Sequence, residues 1–280
     1  MQNELQDRRY GMDLKLEDKI ALVTGSSKGI GEAVARGLAR EGATVIIHGR
    51  DKVKAEQVAK EIVADGGRAF AVIGDLTVDA DVLRLVAEAQ ALAGPIDILI
   101  NNAGGSGGTE DWTNTRADTW ASAFDRNVLA AVRVTALLLP HMRAAKWGRV
   151  INISSLAGMM PPATRPDYSV AKAAMIAMTA SMAKAVAVDG VTVNTVSPGT
   201  IRSISLETGF RAVGLANGIP QDAPWEQVEE TVLPMFAQVP LGRVGTLDEI
   251  ADAIAFLVSP RAGYITGSNL RLDGGMLPTA

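Results

Sequence analysis

Short apolar runs alternate with amphipathic stretches along most of this chain. From Lys19 onward, runs rich in Val, Ile and Leu near 20–24, 44–48, 69–73, 97–100, 149–153, 191–196 and 269–272 predict buried strands. Between the first six, apolar positions recur at helical spacing near 29–41, 52–65, 79–93, 117–145 and 167–188, and another helical pattern follows at 246–258. Strands that alternate with helices predict a parallel sheet covered on both faces. The expected fold is α/β, a doubly wound sheet of about seven strands flanked by helices.

Two stretches break that rhythm. Residues 1–15 are polar and charged and read as a flexible N-terminal arm, which leaves 16–280 as a single domain. Residues 203–245 hold Gly209, Gly214, Gly218, Pro220, Pro224, Pro234 and Pro240 among short amphipathic pieces with Phe210, Trp225 and Phe236. An insert of this length, with its own aromatic residues, predicts a lid that closes over a substrate.

The first predicted strand runs straight into Gly25-Ser26-Ser27-Lys28-Gly29-Ile30-Gly31 and then a helix. Glycines at such points permit a tight turn and let backbone approach a pyrophosphate, while the helix N-terminus offers free N–H groups. The spacing is G-x3-G-x-G, not the G-x-G-x-x-G fingerprint; its place between the first strand and the first helix is what makes it a dinucleotide site. At the end of the second strand, Gly49 stands where an acid would bind ribose hydroxyls, and Arg50 follows. Arg50 and Lys28 suit a 2′-phosphate, so NADP(H) is expected and NAD(H) is the alternative. The other reading of Arg50 is a plain surface charge. Asp51 reads as the cap of the next helix.

A second concentration of chemistry lies between Ser155 and Lys172. Ser155 follows the apolar run 150–153, and Tyr168 and Lys172 stand four apart on a predicted helix, so phenol and ammonium share one face. A phenol has an ordinary pKa of about 10. A lysine charge ~5 Å away favours the phenolate by roughly 3 kcal/mol at the effective dielectric near a protein surface. That is pKa tuning by a neighbouring charge, suited to moving a proton on and off an alcohol oxygen. Ser155 can donate to the same oxygen. Taken alone, the Tyr–Lys spacing also fits an ordinary exposed helix pair, and Ser154 competes with Ser155 for the position facing the site.

Composition narrows the classes. The formal net charge is −4, which provides no basic footprint for nucleic acid. The chain has no cysteine and only two histidines, His48 and His141, so no metal site is expected. Met1–Asp13 does not read as a signal peptide, and 128–140 is the longest apolar helix candidate, too short to span a bilayer. No membrane contact is expected, and the expected home is the cytoplasm.

The segments TGSSKGIG (24–31), DL (75–76), NNAG (101–104), Asn127 in FDRNV, Ser155, YSVAK (168–172), SPG (197–199), YITG (264–267) and LDGG (272–275) occur in this order. Together they resemble the short-chain dehydrogenase/reductase family, 3-oxoacyl-reductase-like branch, from about Lys15 to the C-terminus. The resemblance implies a Rossmann-type domain in which hydride passes between a nicotinamide and a ketone or secondary alcohol. It implies Tyr168 as acid/base and Lys172 as the group that lowers its pKa and holds the nicotinamide ribose. Ser155 would bind the substrate oxygen, and Asn127 would hold a water that links Lys172 to solvent. Asp75 would accept from the adenine amine, with Leu76 beside it. Asn102, Ala103 and Gly104 would flank the adenosine ribose. Gly199 to Ile201 would meet the carboxamide, and Ser203 takes the place of the usual threonine. Asn127 also reads as an ordinary helix-interior polar group, and Asp75 as the start of a turn with Thr77 as helix cap. The C-terminal segments resemble those that pair subunits, so a homo-oligomer, tetramer or dimer, is expected.

The substrate is read less sharply. Readers of acyl-carrier protein in this family bring basic residues to two outer positions, which here are Lys146 and Asp189, one match and one reversal of charge. Met159, Met160, Pro161 and Pro162 facing the insert suggest a mostly apolar pocket and a medium-sized ketone or secondary alcohol. A fatty-acid type 3-oxoacyl thioester is the alternative. Arg165 and Arg202 either face an anionic substrate group or sit in solvent. A non-catalytic dinucleotide sensor is the reading from another class; such proteins typically lose the tyrosine, lysine or serine, and all three are present here.

Overall fold

The computed structural model describes residues 12–107, 112–113 and 115–278. Seven parallel strands form one sheet in the order β3-β2-β1-β4-β5-β6-β7. They are β1 Ile20–Val23, β2 Thr44–Gly49, β3 Arg68–Ile73, β4 Ile98–Asn101, β5 Gly148–Ile153, β6 Val191–Pro198 and β7 Asn269–Leu272. Helices α1 Gly29–Arg40, α2 Lys52–Ala64, α3 Asp79–Ala93, α4 Ala117–Phe124, α5 Ala130–Ala144, α6 Pro166–Val186 and α9 Leu247–Val258 connect them. The expected doubly wound α/β domain is what the chain forms.

Successive strand residues feed opposite layers. Val23, Val45 and Ile47 pack with Leu38 of α1 and with Ile250 and Ile254 of α9, whereas Leu22, Ile46 and Leu99 pack with Leu85 of α3 and Val134 and Leu138 of α5. The central strands β1, β2 and β4 are buried on both faces and are apolar at nearly every position, whereas β6 and β7 carry polar residues in alternation. Strand order reverses between β1 and β4, and the carboxyl ends of the strands there open a crevice, where doubly wound sheets bind ligands.

Three features depart from the expected pattern. The helix expected over 117–145 is interrupted by a π-turn, Asp125–Leu129, between α4 and α5. The insert is not a structureless loop. It forms α7 Ile204–Ala216 and α8 Trp225–Phe236, whose Phe210, Trp225, Val228, Val232 and Leu233 build a separate apolar cluster. The longest apolar helix is not 128–140: Pro166–Asp189 has the length and hydropathy (1.3) to cross a membrane by composition alone. Here that segment lays Met175, Ala183 and Val186 against the domain interior.

At the N-terminus, residues 1–11 of the expected arm lie outside the described residues, while 12–15 are tied down. Leu14 packs on the core, and Arg261 Nε donates to the Asp13 carbonyl at 3.1 Å.

Candidate active site

The glycine turn is held from three sides. Gly25 has φ +64°, and a Cβ there would lie 2.9 Å from Ala103 Cα. At Gly31 a Cβ would stand 2.5 Å from the Gly25 carbonyl oxygen, so helix and turn approach this closely only without a side chain. Lys28, at the N-cap of α1, makes no side-chain cap, and that helix end faces the crevice without one. Asn102 Nδ2 donates to the carbonyls of Thr24 and Gly25, both at 2.9 Å. Ala103 N donates to Thr24 Oγ1 at 3.0 Å. Asn102 therefore braces the glycine turn with its side chain.

Beyond the turn, Lys28 and Arg50 are exposed, and Arg50 lies 3.9 Å from Asp75 across the mouth of β2 and β3. A Cβ at Gly49 would meet Ser27 Oγ at 3.0 Å, so the place of an acid is closed by Ser27. Asp51 accepts from Lys54 N and caps α2. Asp75 accepts from both the N–H and the hydroxyl of Thr77, at 2.9 and 2.8 Å, and these bonds hold its carboxyl below the usual range. Thr77 is thus a partner of Asp75, and α3 starts from Val78 without a side-chain cap. Leu76 is buried; its carbonyl accepts from Arg133 at 3.3 Å.

Ser155, Tyr168 and Lys172 converge where β5 ends. Ser154 and Ser155 point to opposite sides, as neighbouring extended residues must. Ser154 Oγ donates to the Lys172 carbonyl at 2.7 Å, whereas Ser155 Oγ lies on the Tyr168 side, where it acts to lower the phenol's pKa, and accepts from Ala157 N at 3.2 Å. Lys172 is buried, and its Nζ donates to the Ile153 carbonyl at 2.8 Å and sits 5.6 Å from the centre of the Tyr168 ring. Burial pushes the Lys172 ammonium down to about 8. Burial also raises the Tyr168 phenol; the Ser155 hydrogen bond and the Arg165 charge oppose that rise without cancelling it. The lowering expected from Lys172 is absent at the phenol, where Ser155 and Arg165 are the groups that lower and desolvation prevails, a property of the packed site that helix spacing does not carry.

Asn127, fully buried in the π-turn, donates to the carbonyls of Ala123 and Gly105 at 2.9 and 3.1 Å and accepts from Gly105 N at 2.9 Å. Both ends of its amide grip the loop after β4. A Cβ at Gly104 would lie 2.5 Å from Asn127 Oδ1, so the two residues interlock. Gly199 N donates to the Leu272 carbonyl at 2.9 Å, and Ile201 bridges to Gly245, which closes the base of the insert. Ser203 caps α7 through Leu206 N at 3.2 Å.

The family model described as short chain dehydrogenase matches residues 19–210. This chain belongs to the short-chain dehydrogenase family. The dehydrogenase is 38% identical to the 3-oxoacyl-acyl-carrier-protein reductase of Vibrio cholerae, over 94% of this chain and 99% of that protein. It is also 38% identical to the reductase of the same name from Aquifex aeolicus, over 95% and 100% of the two chains. Among solved structures, L-sorbose reductase from Gluconobacter frateurii complexed with NADPH and L-sorbose superposes with a TM-score of 0.88 at 32% identity, covering 96% of this chain and all (100%) of that one.

Two residues of this dehydrogenase do structural work at the site that sequence reasoning missed. His48 accepts from Gly25 N at 3.0 Å through Nδ1 and bonds the Gly74 carbonyl at 3.2 Å through Nε2, so it ties the turn to β3. A lone histidine in an apolar run has no spacing partner to announce such a role. Arg133 bonds Asp79 at 2.6 Å and Asp125 at 2.7 Å as well as the Leu76 carbonyl, and so joins the Asp75–Leu76 loop to the π-turn that holds Asn127. Its position inside an apolar helix was the available signal.

Proposed function

We propose that this dehydrogenase reduces a small-molecule ketone to a secondary alcohol with NADPH, Tyr168 supplying the proton. The observation that carries the reading is the meeting of Ser155, Tyr168 and Lys172 at the carboxyl end of β5, beside the strand-order reversal. The residues fit a dinucleotide. Gly25 and Gly31 let the turn and the helix close on each other, a Cβ at Gly29 would meet nothing within 4 Å, and the α1 terminus has no side-chain cap. Arg50 and Lys28 favour the 2′-phosphate, with NADH the lesser alternative, and L-sorbose reductase is a structural relative recorded with NADPH.

When bound, the nicotinamide supplies the hydride. Ser155 Oγ accepts from Ala157 N, so its own O–H would turn between the Tyr168 oxygen and the substrate oxygen. Tyr168, kept protonated by burial, hands its proton to that oxygen, and the Lys172 ammonium favours the phenolate left behind. Asn127 holds the Gly104–Gly105 loop beside the crevice, and a water relay to Lys172 would run past its backbone. Asp75, Leu76, Asn102, Ala103 and Gly104 would border the adenosine, and Gly199, Ile201 and Ser203 the carboxamide. The α7–α8 insert would act as the lid.

A second reading, a 3-oxoacyl thioester substrate, is favoured by the relatives. Against it, Asp189 draws in both Arg143 and Lys146, at 2.6 and 2.5 Å, so one of the two positive charges on the surface an acidic carrier would meet is offset. We further read the chain as a cytoplasmic homo-oligomer. The test is loss of nicotinamide absorbance over a ketone panel, with 3-oxoacyl thioesters included and NADPH compared with NADH. Tyr168→Phe is expected to keep cofactor affinity and lose turnover by about 100-fold or more. A wild-type chain that binds NADPH and reduces nothing would instead be a sensor.

A further inference from the structure

One level of the sheet is polar although it is buried. Asn101 of β4 pairs in register with Asn152 of β5, and Asn152 with Thr195 of β6, so the three side chains lie side by side on one face. Each is at most 2% exposed. Two residues earlier on the same strands, that face carries Leu99, Val150 and Val193, which pack in the layer shared with α5 and α6. The polar row is bonded throughout. Asn101 Nδ2 donates to Thr135 Oγ1 of α5 at 3.0 Å and to Asn152 Oδ1 at 2.9 Å, and Asn152 Nδ2 donates to Thr179 Oγ1 of α6 at 2.8 Å. Thr195 Oγ1 donates to the same Thr179 oxygen at 2.7 Å, and Thr179 donates its own proton to the Met175 carbonyl at 2.9 Å. The Thr179 hydroxyl thus uses its one donor and both of its acceptor sites.

Apolar packing tolerates sliding of a helix along a sheet; a satisfied buried polar network holds one arrangement, because any other leaves its members unpaired. Thr179 lies seven residues after Lys172, close to two full turns, so both face the sheet about 10 Å apart along α6. Two more bonds tie the same helix to the same strand: Ser154 Oγ on the Lys172 carbonyl at 2.7 Å and Lys172 Nζ on the Ile153 carbonyl at 2.8 Å. Residues 152, 153 and 154 of β5 are therefore each joined to α6. Ser155 follows directly on the strand, and Tyr168 precedes Lys172 by one turn, so the height of α6 on β5 decides how phenol and serine meet.

We infer that Thr179 is a positioning residue for the reaction: by joining Asn152 and Thr195 it sets the height of α6 on the sheet and so places Tyr168 and Lys172 against Ser155. The inference rests on the ketone-reductase reading and adds to it a buried residue about 16 Å along the helix from Tyr168. A misplacement of about 1 Å at reacting groups can cost about 100-fold in rate, so loss of this bond should appear in kcat.

The test compares Thr179→Val, which keeps the branched shape and removes the hydroxyl, with Thr179→Ser, which keeps the hydroxyl. Both are assayed on a ketone that the wild type reduces, with NADPH affinity and Tm measured alongside. Thr179→Val leaves Asn152 Nδ2 and the Thr195 hydroxyl without their acceptor, and kcat is expected to fall by about 10- to 100-fold. The ketone KM and the NADPH Kd should stay within about twofold, as for an interaction that acts on the reacting geometry. Thr179→Ser should recover most of kcat. Met142→Ala opens a cavity in the same layer beside Gly148, at the far end of β5, and is expected to lower Tm with kcat kept. An unchanged kcat in Thr179→Val, a loss carried by KM, or a parallel loss of kcat in Met142→Ala overturns the inference and leaves the reductase reading standing. If Thr179→Val does not fold, Thr195→Val and Thr195→Ser make the same comparison, and an unchanged kcat in Thr195→Val overturns the inference. A wild type that binds NADPH and reduces no ketone overturns both readings.

Discussion

The backbone N–H of Gly25 donates to Nδ1 of His48 at 3.0 Å, across the junction between β1 and β2. The second ring nitrogen of His48 meets the Gly74 carbonyl at 3.2 Å, so the ring must be the neutral tautomer that accepts at one end and donates at the other. Ser26 completes the tie, with its N–H on the His48 carbonyl at 2.9 Å and its hydroxyl accepting from His48 N at 3.0 Å. The turn that would carry a pyrophosphate is thereby sewn to two neighbouring strands.

Proton linkage at His48 follows from this geometry. Burial lowers its pKa from 6.5 to about 4. The folded chain needs the neutral ring, so its contribution is complete above pH 6.5 and is lost as pH falls through the window down to about 4. At about 1.4 kcal/mol per pKa unit, the loss across that window is on the order of 3 kcal/mol. Urea midpoints between these pH values should therefore fall more steeply for the wild type than for His48→Gln. Parallel slopes for the two chains would show that the ring does not titrate in this way.

Cofactor choice turns on Arg50. Its guanidinium is 81% exposed and only loosely opposed by Asp75 at 3.9 Å, so it remains available to a phosphate. Arg50→Ala is expected to weaken NADPH by about 10- to 100-fold, with a much smaller effect on NADH. Gly49→Asp alone should not create an efficient NADH enzyme, because its Cβ would meet Ser27 Oγ at 3.0 Å. Fluorescence titration of both cofactors against the two variants checks this. Equal weakening of NADPH and NADH by Arg50→Ala would place the arginine outside the 2′-phosphate site.

The strands were legible because each carries a run of β-branched or aliphatic residues, on both faces in β1, β2 and β4; β1, β2, β3 and β5 fall within one residue of the runs that announced them. Three things were not legible, each for its own reason. The π-turn at Asp125–Leu129 leaves the apolar periodicity around it nearly unchanged, so nothing in the pattern splits the helix. The Gly and Pro between 203 and 245 hid which of its short amphipathic pieces are helical, yet stacking of Phe210 on Trp225 (5.8 Å) and Phe236 (5.4 Å) stabilises helices that carry Gly209, Gly214 and Pro234. The spacing of Tyr168 and Lys172 was readable, but their burial, which reverses the direction of the phenol shift, arises only when α6 packs on the sheet.

That reversal has a pH signature. With the phenol raised, Tyr168 stays protonated through neutral pH, the state that the proposed acid role in ketone reduction needs. Lys172, lowered to about 8, loses its charge above that pH and with it the support for the phenolate formed in the reaction. The kcat/KM for reduction is expected to be level from about pH 6 to 8 and to decline above it. Lys172→Met should lower the plateau by about 100-fold or more and remove the decline. A wild-type profile that rises from pH 6 to 8 would contradict the assignment of Tyr168 as proton donor.

The insert provides the last test, because its stability is separable from that of the sheet. Its base is closed by the Ile201–Gly245 bridge and by Arg202 N on the Gly245 carbonyl at 2.8 Å. Above that base, Trp225 is 7% exposed within a cluster that draws on no residue of the sheet strands. Removing its side chain should cost about 3–5 kcal/mol, a loss that falls first on the insert. Trp225→Ala is therefore expected to expose 203–245 to hydrogen exchange and proteolysis while amides of β1, β4 and β5 stay protected. Turnover should fall through KM for the ketone more than through NADPH affinity, as a lid requires. Uniform loss of protection across the sheet would show that the insert and the core unfold as one unit.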